Sequence, residues 1–248
     1  MTKGRRAFSN FRSNYIPANK KGGSMEHIEV NFIRHGTTQS NLEGRLCGRT
    51  DSPLISDFIS EMKEMVSKYP YPLVEHCYRS PAQRCRETLE IIYPCMKADM
   101  VEDLWEFDFG DMDGMLVQKV LELMDLKAYY THDPCFSFPN GETMGAFLQR
   151  TYHAMDLIVR DAQEKGFKTI AIITHSMLLD SLMSNCAQPT MTEEERFCPN
   201  GKGIGVRLAP VVWFYSRVLY FVRLLPEGAP RERFKDSPYY HGKKENIH

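Results

Sequence analysis

The sequence predicts an α/β fold: a three-layer, doubly wound, mostly parallel sheet flanked by helices, with a helical cap insertion over the site. Three observations predict it. Short apolar runs suited to buried strands (Ile28–Ile33, Leu73–Tyr78, Met100–Leu104, Lys168–Thr174) alternate with longer stretches of helical periodicity. Two of those runs end alike, in Arg34-His35-Gly36 and in Thr174-His175-Ser176. The chain has 248 residues and is 42% hydrophobic, enough for one sizeable core.

Taken in order, residues 1–24 hold six basic side chains (Lys3, Arg5, Arg6, Arg12, Lys20, Lys21), no acid and no regular period. A disordered basic extension is expected there. It is Arg-rich and acid-poor, as organellar transit peptides are. A competing reading takes Lys20-Lys21-Gly22-Gly23 as an in-frame ribosome-binding site and Met25 as the true start. A single folded domain is expected over 25–225, and the polar, proline-bearing stretch 226–248 as a flexible tail.

Within the domain, Ile28–Ile33 is apolar enough for a central strand. A polar loop over 36–56 follows, then a helix over Ser56–Lys68 with Phe58, Ile59, Met62, Met65 and Val66 on one face. The strand Leu73–Tyr78 runs into Ser80-Pro81, read as cap and first residue of a helix through Ile92. Arg84 stands in its first turn, where a cation opposes the macrodipole unless an anion lies between them. Leu116–Tyr130 reads as one helix and Thr143–Glu164 as another, stopped by Lys165-Gly166. Lys168–Thr174 is a strand, and a helix begins at Met177. Gly203–Leu208 and Val212–Leu225 read as edge strands.

Composition excludes several classes. Beyond residue 24 there are 25 basic against 32 acidic groups, a balance of −7, which disfavours general nucleic-acid binding. No window approaches the roughly 18 apolar residues of a membrane helix. The seven cysteines are scattered and contain no Cys-x-x-Cys pair, so neither a disulfide framework nor a zinc site is expected, and a reduced cytoplasm fits. No carboxylate cluster suited to Mg²⁺ is evident, and neither metal nor cofactor is expected.

In a parallel sheet the ends of these strands share one edge, where ligands bind. Arg34 and His35 arrive there from one strand, Arg84 from the helix after the second, Glu106 after the third, and His175 from the fourth. Two arginines suit phosphate oxygens, a histidine held by one nitrogen offers the other as nucleophile, and a carboxyl can protonate a leaving oxygen. A helix N-terminus after His175 adds backbone donors.

This ordered set resembles the histidine phosphatase superfamily, which includes phosphoglycerate mutases and many phosphatases. The matching residues are Arg34-His35-Gly36, Asn41, Gly44-Arg45, Gly48, Asp51-x-Pro53-Leu54, Ser80-Pro81-x-x-Arg84-x-x-x-Thr88, Leu104-x-Glu106-x-x-x-Gly110, Gly141-Glu142-Thr143 and Thr174-His175. The resemblance implies His35 as the phosphorylated nucleophile, Glu106 as acid/base, and a catalytic pocket completed by Arg34, Arg84 and a protonated His175. It implies phosphate or substrate contacts from Asn41 and Ser176, with Arg45 at the rim and Glu142 from the cap. The substrate would be a small phosphate ester, bound by a monomer or homodimer. The words Arg84-Cys85-Arg86-Glu87-Thr88, Glu106-Phe107-Asp108-Phe109-Gly110 and Asp133-Pro134 with Pro139-x-Gly141-Glu142 are most similar to the alpha-ribazole phosphatase branch, which acts in cobalamin assembly. Three positions depart from the pattern: Ser176 replaces a glycine, Thr37 a Glu or Gln, and Phe58 a frequent glycine.

The implied function is a metal-independent phosphomonoesterase acting on a small metabolite, with alpha-ribazole 5'-phosphate as the named candidate. Two alternatives stand beside it: a mutase that re-donates the phosphoryl group, and a silent protein that only binds phosphorylated ligands.

Overall fold

The structure, a computed structural model, describes residues 27–230; the expected extension over 1–24 and the part of the tail beyond 230 lie outside the described residues. Seven strands form one sheet: β1 (Ile28–Arg34), β2 (His76–Arg79), β3 (Ala98–Met100), β4 (Thr169–Thr174), β5 (Ala187–Gln188), β6 (Gly203–Leu208) and β7 (Leu219–Leu225). The helices are α1 (Gln39–Leu42), α2 (Ser56–Lys68), α3 (Gln83–Ile92), α4 (Val117–Leu123), α5 (Lys127–Tyr130), α6 (Met144–Lys165), α7 (Ser176–Cys186), α8 (Glu193–Arg196) and α9 (Pro210–Ser216). The strand order is β3-β2-β4-β1-β6-β7-β5, and only β6 runs against the rest.

The two-residue period of the strands divides the core. Phe32, Ile172 and Tyr78 share one face and pack with α6, α7 and Trp213 of α9. Ile33, Ile173 and Cys77 face the other way, against Met62 of α2 and Cys85 and Leu89 of α3. This is the three-layer, doubly wound arrangement expected from the sequence. Helix α6 is the long support of the first face. Thr143 caps it by accepting the Ala146 amide at 3.1 Å, and Gly166 ends it in the left-handed region at φ 78.

Several expected boundaries move. The second strand starts at His76 rather than Leu73, which is 94% exposed. The third occupies Ala98–Met100, and Glu102–Leu104 is a 3₁₀ turn. The single helix expected over Leu116–Tyr130 breaks into α4 and α5, because Asp125 takes the Lys127 amide at 2.8 Å and starts a new turn. Strand β6 lies inside the sheet between β1 and β7, not at its edge. The residues Val212–Ser216 are helical: Pro210 opens α9, and Arg217, at φ 54 with its guanidinium on Asp156, turns the chain into β7. An apolar run cannot by itself distinguish a buried strand from a buried helix.

Burial sets the expected energetics. Ile172 is fully buried between Phe32 and Tyr78, so Ile172→Ala is expected to cost about 2–5 kcal/mol in urea unfolding. Tyr215, 77% exposed, serves as the contrast, with Tyr215→Ala expected to stay within about 0.5 kcal/mol.

Candidate active site

Strands β1 and β4 run parallel with Arg34 opposite Thr174, so the next residue of each, His35 and His175, leaves the sheet at the same height. Their rings lie 5.3 Å apart, centroid to centroid. On the far side of β4, β2 feeds a turn at Ser80-Pro81 and then α3. That helix begins at Gln83, not at Pro81, and its amide is capped by Asp51 at 2.9 and 3.1 Å. Ser80 is therefore not the cap. Its hydroxyl lies 2.8 Å from His175 Nε2.

His35 is held in one tautomer. Its Nδ1 is 2.7 Å from the Gly36 carbonyl oxygen, which can only accept, so Nδ1 carries the proton and Nε2 keeps its lone pair for the cavity that His35 lines. Burial, reinforced by the charges of Arg84 and Arg34, holds the imidazole well below its ordinary basicity. Gly36 must remain small, since a Cβ there would stand 2.6 Å from Cε1 of Phe58.

The two arginines are both buried. Arg34 donates through Nη1 to the Cys198 carbonyl at 3.0 Å, while its Nε has no partner. A buried guanidinium N–H left unpaired at the cavity is a donor placed for an anion. Arg84 is completely enclosed. It donates to the carbonyls of Thr50 (3.0 Å), Gly48 (2.9 Å) and Cys47 (3.3 Å). Its Nε and Nη2 also lie 3.3 and 3.2 Å from His175 Nδ1. A guanidinium only donates, so His175 Nδ1 accepts and Nε2 carries the proton toward Ser80. The expected protonated His175 is corrected: burial and then Arg84 lower its basicity, and it stands neutral beneath the cavity.

Glu106, also buried, accepts the Phe107 amide on Oε1 at 3.0 Å and both Ser176 Oγ and the Met177 amide on Oε2 at 3.3 Å. Burial pushes its carboxyl above the ordinary range, and the two amides offset that only in part. A shift in that direction favours the protonated form of the carboxyl relative to an ordinary glutamate. Ser176, expected to offer its backbone amide to phosphate, lines the cavity, and its hydroxyl donates to Glu106.

Two further expectations are corrected. Glu142 does not reach the cavity: Arg150 holds its carboxylate at 2.6 and 2.9 Å, and it accepts the Asp108 amide at 2.8 Å. The same Arg150 grips the carbonyls of Asp103, Trp105 and Glu106 at 2.9, 2.6 and 2.8 Å, so the Glu142–Arg150 pair buttresses the segment bearing Glu106. Arg45 donates to Glu43 at 2.5 Å and to the Gly114 carbonyl at 3.0 Å, away from the cavity lining.

Asn41 does line the cavity. Its Oδ1 takes the Thr38 amide, the Thr38 hydroxyl and Asn200 Nδ2, each at 3.1 Å, which leaves the amide hydrogens of Asn41 to donate outward. Asn200 was legible only as half of an Asn-Gly turn. Its Nδ2 also bonds the His35 and Gly36 carbonyls at 3.1 and 3.2 Å, clamping the turn that carries His35. Thr88 does the same from α3, accepting the Gly36 amide at 2.8 Å. Cys85 Sγ lies 3.7 Å from His175 Nε2, but burial pushes its thiol up to about 12, so it remains protonated.

Among the described residues, one group could in principle hold a metal: His76, Asp99 and Asp161, at the β2–β3 side of the sheet. Lys165 lies 2.9 Å from Asp161 and 3.4 Å from Asp99, and supplies the positive charge there. The group takes no part in the cavity. No helix among the described residues is long and apolar enough to cross a membrane.

Comparison with known proteins agrees with this geometry. Residues 30–203 match the model of the histidine phosphatase superfamily (branch 1). The Bacillus subtilis protein "Uncharacterized phosphatase PhoE" is 28% identical over 160 residues, covering 62% of this chain and 75% of its own. Phosphoglycerate mutase-like protein 4 of Arabidopsis thaliana is 27% identical over 181 residues, covering 69% and 76%. A solved Escherichia coli structure, proposed to be an alpha-ribazole-5'-P phosphatase, shares the fold with TM-score 0.58 at 20% identity, over 79% of this chain and 95% of that one. With its family model matched across most of the domain and both histidines at one sheet edge, the chain belongs to the histidine phosphatase superfamily, branch 1.

Proposed function

We propose that this chain is a metal-independent phosphomonoesterase that works through a phosphohistidine on His35. The observation that carries the reading is the tautomer of His35: Nδ1–H is spent on the Gly36 carbonyl, and the Nε2 lone pair meets the cavity. In the first step Nε2 attacks phosphorus in line and the ester P–O bond breaks. Glu106 gives its proton to the departing alkoxide. In the second, Glu106 takes a proton from water, the oxygen attacks phosphorus, the P–N bond breaks and His35 is restored. The unpaired Nε of Arg34 and the Asn41 amide stabilise the equatorial oxygens, and Arg84 adds its charge from below.

The finer reading takes alpha-ribazole 5'-phosphate as substrate. It is supported by the run from Arg84 to Thr88, the run from Glu106 to Gly110, and the Escherichia coli protein of the same fold. Cytoplasmic placement, a monomeric or homodimeric state and a domain over 25–225 belong to the same proposal.

Phosphate release from a chromogenic monoester is expected to persist in EDTA and to fall by more than about 10³-fold in His35→Ala. An alkali-stable, acid-labile phosphoprotein should form on brief mixing of the wild type. No turnover of any monoester would remove the enzyme reading; isomer transfer without phosphate release would favour the mutase. The pH profile has a worked sign. His35 acts when neutral and its basicity is lowered, so the acid limb of kcat/KM lies below the usual histidine value of 6.5. Glu106 acts first as an acid and is raised, so the alkaline limb lies above the usual carboxyl value of 4.5. Glu106→Gln removes that alkaline limb. Ser176→Gly deletes a donor to the ionised carboxylate and moves the limb to higher pH.

A further inference from the structure

One side of the cavity above Arg34, His35 and Glu106 is apolar. Val117 and Val120 of α4, Leu126, Tyr129 and Tyr130 at α5, and Phe138 form the side contributed by the insertion. These are not loose side chains. The Tyr129 ring meets Phe138 at 5.5 Å, Phe107 at 5.8 Å and Tyr130 at 5.3 Å in edge-on contacts, and Phe136 and Phe138 pack at 5.0 Å. Such a cluster fixes an apolar surface before any ligand arrives, so binding against it loses little to ordering.

Charge in the same cavity is arranged against a second anion. Apart from the reaction centre, the described lining residues that carry charge are Asp180, Glu193 and Arg196. Arg196 is neutralised by Asp180, with Nε 2.9 Å from Oδ1, and its Nη1 donates to the Met191 carbonyl at 3.2 Å. The other oxygen of Asp180 faces His132 Nε2 at 3.0 Å, an ion-pair distance whose direction falls outside hydrogen-bond geometry. His132 holds the left-handed region at φ 54, which ends α5 and aims the imidazole at α7. This trio fastens the insertion to the body and leaves Arg196 already paired. A substrate carboxylate or second phosphate would enter a largely apolar space whose one wall cation among the described lining residues is spent on Asp180.

We propose that the cavity selects phosphate monoesters of uncharged alcohols bearing an apolar ring and rejects esters with a second anionic group. The proposal rests on the phosphatase reading above and names its substrate class. In the bound ester the phosphoryl group lies on His35 and the ring lies against Tyr129, Tyr130 and Phe138. Discrimination in such a pocket comes from apolar surface, at about 10- to 200-fold per methylene-sized group. A whole ring is therefore expected to exceed about 100-fold.

The test compares kcat/KM for 3-phenylpropyl phosphate, glycerol 3-phosphate and 3-phosphoglycerate. The first two are primary alkyl esters with comparable leaving groups. The expected order places 3-phenylpropyl phosphate at least about 100-fold above glycerol 3-phosphate, with 3-phosphoglycerate lowest. Tyr130→Ser, at a half-buried position, is expected to reduce the phenylpropyl-to-glycerol ratio about tenfold, and Tyr130→Phe to keep it. His35-dependent turnover in which glycerol 3-phosphate or 3-phosphoglycerate equals or exceeds 3-phenylpropyl phosphate overturns the substrate class and leaves the phosphatase reading standing. Failure to hydrolyse any of the three, or turnover unchanged in His35→Ala, overturns both.

Discussion

The site is governed by a buried positive charge that the protein itself does not neutralise. Arg84 is fully enclosed and Arg34 nearly so, yet among the described residues neither forms an ion pair with a carboxylate. Their N–H groups go to main-chain carbonyls, to His175, or, for Arg34 Nε, to nothing. Enclosing a cation costs several kcal/mol unless it is compensated. Carbonyl dipoles make the arrangement tolerable, and a dianionic phosphoryl group would complete it. Together with burial, which acts more strongly, these charges lower the basicity of both histidines.

The rest of the fold can be understood as what holds these groups in register. Parallel pairing of β1 with β4 puts the two histidines side by side. Asp51 fixes the start of α3 below the cavity, and Asp113 binds the amides of Gly48 and Thr50 at 2.7 Å, shaping the loop whose carbonyls receive Arg84. Gly48 is confined there because a Cβ would stand 2.3 Å from the Phe107 carbonyl oxygen. Arg150 and Glu142 set the height of Glu106, and Asn200 and Thr88 hold the turn after β1. A small set of charged and imidazole groups meets at the cavity floor, while many polar groups keep them in position.

Much of this was legible in the sequence, for a physical reason. Strand ends in a parallel sheet face one edge, so Arg34-His35 and Thr174-His175 announced a shared site once the alternation of strands and helices was recognised. What could not be read was the direction of each hydrogen bond. Glu142 sits in a family word, but its carboxylate is claimed by Arg150 eight residues along α6. His175 looked like a cation because nothing in the sequence says that Arg84 points its N–H groups at it. Ser80 matched a helix cap by residue type and was drawn instead to His175. The apolar stretch after Ala209 hid a helix, a left-handed turn and a strand in one run.

The central claim is that burial, reinforced by uncompensated guanidinium charge, lowers the basicity of His35 and His175 and that each is held in a single tautomer. The direct measurement is the imidazole nitrogen chemical shifts of both residues, followed by NMR on the isotopically labelled protein from about pH 8 to about pH 5. The account predicts that His35 keeps its proton on Nδ1 and His175 on Nε2, with neither titrating at the ordinary value of 6.5. An ordinary titration of either ring near 6.5, or the opposite tautomer at His35, would contradict it.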